Sequence, residues 1–187
     1  MEYNHHIPVN KRWSIAAPIP PEINQELADF PPLLRQLLYN RGARDAETAL
    51  AFLSASAPEA TDPFLIRDMT QAVELLHAAI ANGMPIAIYG DYDADGVTST
   101  VLLYELLQKL GMSPRIYIPN RFDEGYGLNL DAVEQLAREG VGLIITVDCG
   151  IRSVEEIALA RRLGVHVILT DHHQPGEVLP PADAILN

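Results

Sequence analysis

Four short apolar runs recur along this chain: IAIYG from Ile86, RIYIP from Arg115, GLIITVD from Gly142 and VHVILTD from Val165. Each is continuous in its hydrophobicity, and each stops at a glycine, a proline or an aspartate. A strand of that kind is buried on both faces, a situation typical of parallel sheets covered by helices. Helical periodicity fills the intervals, over 99–110, 130–139 and 154–163, and one more helix is expected over 68–82 ahead of the first run. The alternation predicts an α/β fold on a doubly wound, mainly parallel sheet. The closing DAILN reads as the start of a further strand, so the domain is expected to be truncated at its carboxyl end.

Upstream the pattern changes. Residues 1–30 are proline-rich and aperiodic and are expected to form an extended arm. PPLLRQLLYNRGARDAETALAFLS then supplies two amphipathic helices, over 32–40 and 45–53, with Asp45 as the cap of the second. The TDPF turn at Thr61 closes this small helical appendage, so residues 31–67 form one part and residues 68–187 the main domain.

The charge is strongly acidic, 25 Asp and Glu against 13 Lys and Arg, which excludes a protein that grips nucleic acid by general electrostatic attraction. It leaves room for an enzyme whose carboxylates are neutralised by bound cations. The single Cys149 cannot form an internal disulfide, no basic-then-apolar leader follows Met1, and no apolar run reaches the roughly 18 residues of a membrane span. A reducing, cytoplasmic setting is the expectation.

The chemistry concentrates where the strands end, which is where open α/β sheets bind their ligands. Asp91, Asp93 and Asp95 follow the first run in GDYDADGVTST, Asp148 follows the third, and Asp171, His172 and His173 follow the fourth. An EF-hand would start its loop at Asp91 with glycine correctly at position 6, but its twelfth position is Leu102 and not glutamate, and a strand precedes it. A phosphatase using Asp93 as nucleophile and Asp95 as acid would need a neutralising lysine, and none follows Lys109. Carboxylates with imidazoles and no thiolate suit Mn²⁺ or Mg²⁺, and two such ions joined by a shared carboxylate activate water against a phosphoester. Taken singly, Asp95 reads equally as a helix cap, Asp148 as a turn residue and His172-His173 as loop surface. Their convergence on one sheet edge favours the two-metal reading over those.

Four segments in this order, GDYDADGVTST, PNRFDEGYGLN, VDCGI and TDHHQPGE, resemble the DHH phosphoesterases, and within them the bacterial single-strand-specific exonucleases. The resemblance runs from about Pro31 to Asn187. It implies metal-binding roles for Asp93 and Asp95, with Asp91 as a third contributor, for Asp148 as the bridge between two metals, and for His172. It places His173 at the scissile phosphate or its bridging water and gives Asp171 the task of orienting the histidines. Arg121 would contact phosphate from a substrate-facing loop, although Gly125 and Gly127 also fit a plain surface turn. Thr98, Ser99 and Thr100, at the start of the helix after Gly96, would add amide donors for an anion.

The implied substrate is single-stranded DNA, degraded 5′ to 3′ to mononucleotides in recombination and repair. Many members carry histidine four positions before the aspartate matching Asp93; Tyr89 stands here and places more weight on Asp91. The family also implies a further metal-binding aspartate, a second domain and an oligonucleotide-binding fold beyond residue 187. A phosphatase with nucleophilic Asp93 and a fragment that only binds metal or DNA remain the alternatives. Cys149 is read as a packed residue.

Overall fold

The computed structural model describes residues 14–55, 61–120 and 125–187. The chain divides into two compact units, Met1–Ala60 and Thr61–Asn187.

The smaller unit holds three helices, α1 (Pro21–Glu26), α2 (Pro32–Asn40) and α3 (Ala46–Leu53). α1 lies inside the segment expected to be extended. Pro21 and Pro32 each open their helix, a position where the missing N–H costs nothing and the fixed φ already suits the helix. Leu27, Leu38, Ala43 and Ala49 are buried together against Ile19, Ile23, Phe30 and Leu34. The Arg35 guanidinium ties the α1–α2 connection by donating to Phe30 O at 2.6 Å and Ala28 O at 2.7 Å. Asp45 caps α3 through a reciprocal capping box with Thr48. Residues 1–13 of the expected arm lie outside the described residues.

The larger unit begins with a one-turn 3₁₀ segment at Pro63–Leu65, so the TDPF turn belongs here, where it packs on α4 (Met69–Ala81). There follow β1 (Ile86–Tyr89), α5 (Ala94–Lys109), β2 (Arg115–Tyr117), α6 (Leu130–Arg138), β3 (Leu143–Val147), α7 (Val154–Arg162), β4 (His166–Thr170) and β5 (Ala184–Leu186). The five strands are parallel in the order β2-β1-β3-β4-β5.

Strand periodicity sorts the core into two layers. Ile86, Ile88, Leu143, Ile145, Val147 and Ile168 face α4 and α5, with Ala72, Ala79 and Leu107 beneath them. Ala87, Tyr89, Ile144, Val167 and Leu169 face the opposite way, against Val133, Leu136, Ile157 and Ala160 of α6 and α7. Helices on both faces make the sheet doubly wound, and they explain why the inner strands carry no polar alternation. Strand order reverses between β1 and β3, one strand leading outward to β2 and the other to β4. The carboxyl ends of these two strands therefore flank the crevice in which such sheets bind ligands.

Candidate metal centre

Leaving β1, the chain must turn sharply into α5. Asp93 takes the N-cap: its backbone is extended, and its Oδ1 accepts from the amides of Asp95 and Gly96 at 2.9 and 3.0 Å. α5 thus starts at Ala94, five residues ahead of the expected start at 99. Asp95, weighed as a possible cap, sits in the first helical turn, because the Asp93 carboxylate already satisfies the leading amides.

The earlier start also moves Thr98, Ser99 and Thr100 into the helix interior. Their amides belong to the i→i−4 ladder and are not open donors for an anion. The Thr98 hydroxyl donates to Ala94 O at 2.7 Å. Thr98 and Ser99 instead line a cavity of about 350 Å³ with Asp95, Asp148, Asp171 and His172.

Two glycines let α5 pack tightly on this turn. A Cβ at Gly96 would lie 2.5 Å from Asp91 O, and one at Gly90 would lie 2.2 Å from Thr100 Oγ1. That packing buries Asp91 to 3% exposure and leaves its Oδ1 without a hydrogen-bond partner among the described residues.

After β3, Asp148 adopts φ +62°, a left-handed conformation that aspartate tolerates better than most residues. Its amide donates to Thr170 O at 3.1 Å, which anchors the turn to β4. The residue is 8% exposed, and its Oδ1 has no hydrogen-bond partner among the described residues, although His172 Nε2 lies 2.9 Å away as an ion-pair partner when protonated. Cys149, next in line, is buried, and its Sγ contacts Tyr89 O at 3.6 Å. Burial, followed by the charges of Asp171, Asp91 and Asp148, pushes its thiol well up and keeps it protonated at neutral pH.

After β4, Asp171 is fully engaged. Oδ1 accepts from the amides of His172 and His173 at 2.7 and 3.0 Å and from His173 Nδ1 at 2.7 Å, while Oδ2 accepts from Ile151 N at 2.9 Å. Burial opposes its ionisation, but the amide bonds from His173 and Ile151 hold the carboxyl below its ordinary value. That hydrogen bond in turn raises the basicity of His173.

Two groups of ligand-type atoms emerge among the described residues. Asp91, Asp93 and Asp148 form one, Asp148, His172 and His173 the other, each with its ligand atoms within 4.8 Å of one another. Asp148 is common to both. Asp95, expected as a ligand, belongs to neither and is exposed on the cavity wall. Asp171 also stands outside both, holding His173. Arg121 lies outside the described residues. Tyr89, four residues before Asp93, is fully buried and donates from its hydroxyl to Gly127 O at 3.2 Å.

The electrostatics fit cations. Burial and then the charge of Asp93 raise the Asp148 carboxyl above its ordinary value, whereas the amides of Gly96 and Asp95 keep Asp93 below its own. A buried carboxylate oxygen with no donor, beside a second anion, is costly until a positive charge reaches it. Oxygen and imidazole donors without a thiolate suit Mn²⁺ and Mg²⁺, so these residues fit such an ion.

Sequence reasoning passed over Tyr126. Its hydroxyl lies 3.1 Å from His173 Nδ1 and 3.4 Å from Asp148 O, and its ring meets the His173 ring edge-on at 5.6 Å. Gly125 and Gly127, at φ +81° and +85°, flank it and allow the loop to present the ring. The glycine-tyrosine-glycine triplet was the available signal.

Comparison with known proteins places this geometry in a family. The model for the DHH family, N-terminal domain, matches residues 85–187. The chain is 44% identical over 178 residues to the single-stranded-DNA-specific exonuclease RecJ of Bacillus subtilis, covering 94% of this chain and 23% of that protein. It is 44% identical over 161 residues to RecJ of Escherichia coli, covering 86% and 27%. Among solved structures, exonuclease RecJ bound to manganese aligns with TM-score 0.63 and 40% identity over 69% of this chain and 32% of that one. RecJ of Thermus thermophilus in complex with Mn²⁺ aligns with TM-score 0.63 and 31% identity over 91% and 24%. The chain thus spans about a quarter of the length of the curated relatives it matches.

Proposed function

This chain belongs to the DHH family, and from that premise we propose that it forms the metal-binding part of a nuclease that hydrolyses single-stranded DNA. The observation that carries the proposal is the sharing of Asp148 between two ligand groups, one completed by Asp91 and Asp93, the other by His172 and His173. Two ions of Mn²⁺ or Mg²⁺ are the cofactors of this reading, supported by the manganese of the related RecJ structures. The names of the curated relatives support the substrate. The reading extends to 5′ to 3′ removal of mononucleotides in recombination and repair.

Asp91, Asp93, Asp148 and His172 would hold the divalent cations, which would supply Lewis acidity toward water and toward the phosphoryl oxygens. The protein's part is to hold the donors. Asp91 is fixed by the close approach of Gly96, and Asp93 by the helix amides that occupy one of its two oxygens. Asp148 reaches both groups from a left-handed turn. Asp171 accepts the hydrogen bond of His173 Nδ1–H, which sets the tautomer and leaves Nε2 to accept from a water, or, in the imidazolium form, to donate to a phosphate oxygen. Thr98 and Ser99 serve here as cavity wall beside the substrate, and Asp95 as a nearby carboxylate.

The test pairs a binding and a turnover measurement. The chain is titrated with Mn²⁺ by calorimetry, then incubated with Mn²⁺ and single-stranded DNA labelled at its 5′ end, alongside Asp148→Asn. Asparagine also tolerates the left-handed backbone, so this variant removes charge without adding strain. The expected result is two Mn²⁺ per chain and labelled mononucleotide from the unaltered protein, and neither from the variant. A chain that binds no Mn²⁺, or a variant that keeps normal turnover, sinks the proposal.

A further inference from the structure

Tyr126 touches two turns of the site at once. Its hydroxyl lies 3.1 Å from His173 Nδ1, after β4, and 3.4 Å from the Asp148 carbonyl oxygen, after β3. We propose that this hydroxyl makes Tyr126 a positioning residue for the hydrolysis inferred above, holding the His173 ring in register with the Asp148 turn. The proposal rests on the nuclease reading of the site and adds to it a side chain outside both ligand groups.

The direction of each hydrogen bond follows from the groups around it. Asp171 accepts from the amides of Ile151, His172 and His173, the surroundings of an ionised carboxylate, which can only accept. His173 Nδ1, 2.7 Å from Asp171 Oδ1, must therefore carry the hydrogen. Tyr126 meets that nitrogen as a second acceptor of the same hydrogen. Near neutral pH a phenol keeps its own proton, and among the described residues the acceptor within reach of it is the Asp148 carbonyl. The bonds thus run in one direction, from His173 Nδ1 to Tyr126 and from Tyr126 to Asp148 O.

Both ends of this relay need the restraint. The His173 side chain is 44% exposed, and a single bond to Asp171 would leave its ring free to swing about Nδ1. The hydroxyl and the edge-on Tyr126 ring, 5.6 Å away, add a second and a third contact. Asp148 stands in a left-handed turn with its amide tied to Thr170 O, and Tyr126 ties the carbonyl, so the shared carboxylate is carried on a residue held at both of its backbone polar groups. The loop that presents Tyr126 is itself anchored, because Gly127 O accepts from the buried Tyr89 hydroxyl at 3.2 Å and Asn129 caps α6. A side chain on a fixed loop can orient its neighbours instead of following them.

The experiment compares Tyr126→Phe with the unaltered chain in two ways: NMR of the ¹⁵N-labelled imidazoles without metal near neutral pH, and Mn²⁺-dependent release of mononucleotide from single-stranded DNA. Phenylalanine keeps the ring and removes the hydroxyl alone. The unaltered chain should show His173 protonated at Nδ1 with a sharp ring signal. In the variant that signal should shift and broaden, while the signal of His166, at the opposite end of β4, should stay in place. Turnover should lose roughly three- to tenfold in kcat, the rate equivalent of one neutral hydrogen bond, with KM held within about twofold. A hydroxyl that only braced the loop would lower stability and leave the His173 signal where it was. An unchanged His173 signal in the variant, or a loss confined to KM, overturns the proposal. An unaltered chain that releases no mononucleotide removes the nuclease reading alone, and the His173 signal still decides whether the hydroxyl orients that ring.

Discussion

Gly96 sits so close to Asp91 that a methyl group on it would fall 2.5 Å from the Asp91 carbonyl oxygen and 2.7 Å from its Cα. Those contacts are with backbone, which cannot swing aside. Gly96→Ala must therefore push the start of α5 away from the β1 turn, and the affected residues are the metal-type donors Asp91 and Asp93. Overpacking of this kind costs about 1 to 3 kcal/mol. Urea unfolding should report that loss, and calorimetry should report weakened Mn²⁺ binding in the same variant.

The shared position of Asp148 makes a stoichiometric prediction. Asp91→Asn alters only the group it forms with Asp93 and Asp148, and His172→Ala alters only the group with His173. Each should lose one tight Mn²⁺ and keep the other, whereas Asp148→Asn should lose both. Calorimetric titration of the three variants distinguishes this from a single-ion site, for which all three would give the same loss.

Much of this was legible in the sequence, for identifiable reasons. The runs at Ile86, Leu143 and His166 announced parallel strands because helices cover both faces and leave no position for a polar alternation. That Asp91, Asp93, Asp148 and His172 gather at one sheet edge was legible because each follows an apolar run closely. The start of α5 was not, since DADG reads as turn chemistry and only the geometry shows that Asp93 provides the cap. That shift of phase closes the Thr98 and Ser99 amides into the helix, and Asp95 stands outside both ligand groups on the cavity wall. Tyr126 was missed because its triplet of Gly125, Tyr126 and Gly127 reads as a plain turn, and its neighbours Asp148 and His173 stand 22 and 47 residues further along the chain.

Thr100 offers a test in which removal of a polar group should do no harm. Its buried Oγ1 has no hydrogen-bond partner among the described residues, so the hydroxyl already bears its desolvation cost unrewarded. Thr100→Val keeps the shape and discards the hydroxyl. Stability should stay within about 1 kcal/mol or rise, as read by urea denaturation. A larger loss would show that the hydroxyl has a partner in solution.

Cys149 should resist alkylation. Burial, reinforced by the charges of Asp171, Asp91 and Asp148, raises its thiol pKa, so the thiolate needed for attack is scarce at pH 8. Iodoacetamide should label the native chain slower than the urea-unfolded chain by on the order of a hundredfold or more, since reaction requires opening of the fold. Equal rates in both states would contradict the packed environment between β1 and the Asp148 turn.

Tyr89 links the core to the loop that carries Tyr126. Its ring is fully buried and stacked on Tyr117 with centroids 5.0 Å apart, and its hydroxyl donates to Gly127 O while receiving a hydrogen bond from Asn129 Nδ2 at 3.3 Å. Asn129 in turn caps α6 by accepting from Ala132 N at 2.7 Å. Tyr89→Phe keeps the stacked ring and removes only the hydroxyl, leaving the buried Gly127 carbonyl short of its donor. A loss of about 1 to 3 kcal/mol is expected for stranding buried polar groups. The functional consequence should appear one residue away: Tyr126 NMR signals should broaden as its loop loses the anchor at Gly127. A variant with native stability and unchanged Tyr126 signals would show that the glycines alone fix this loop.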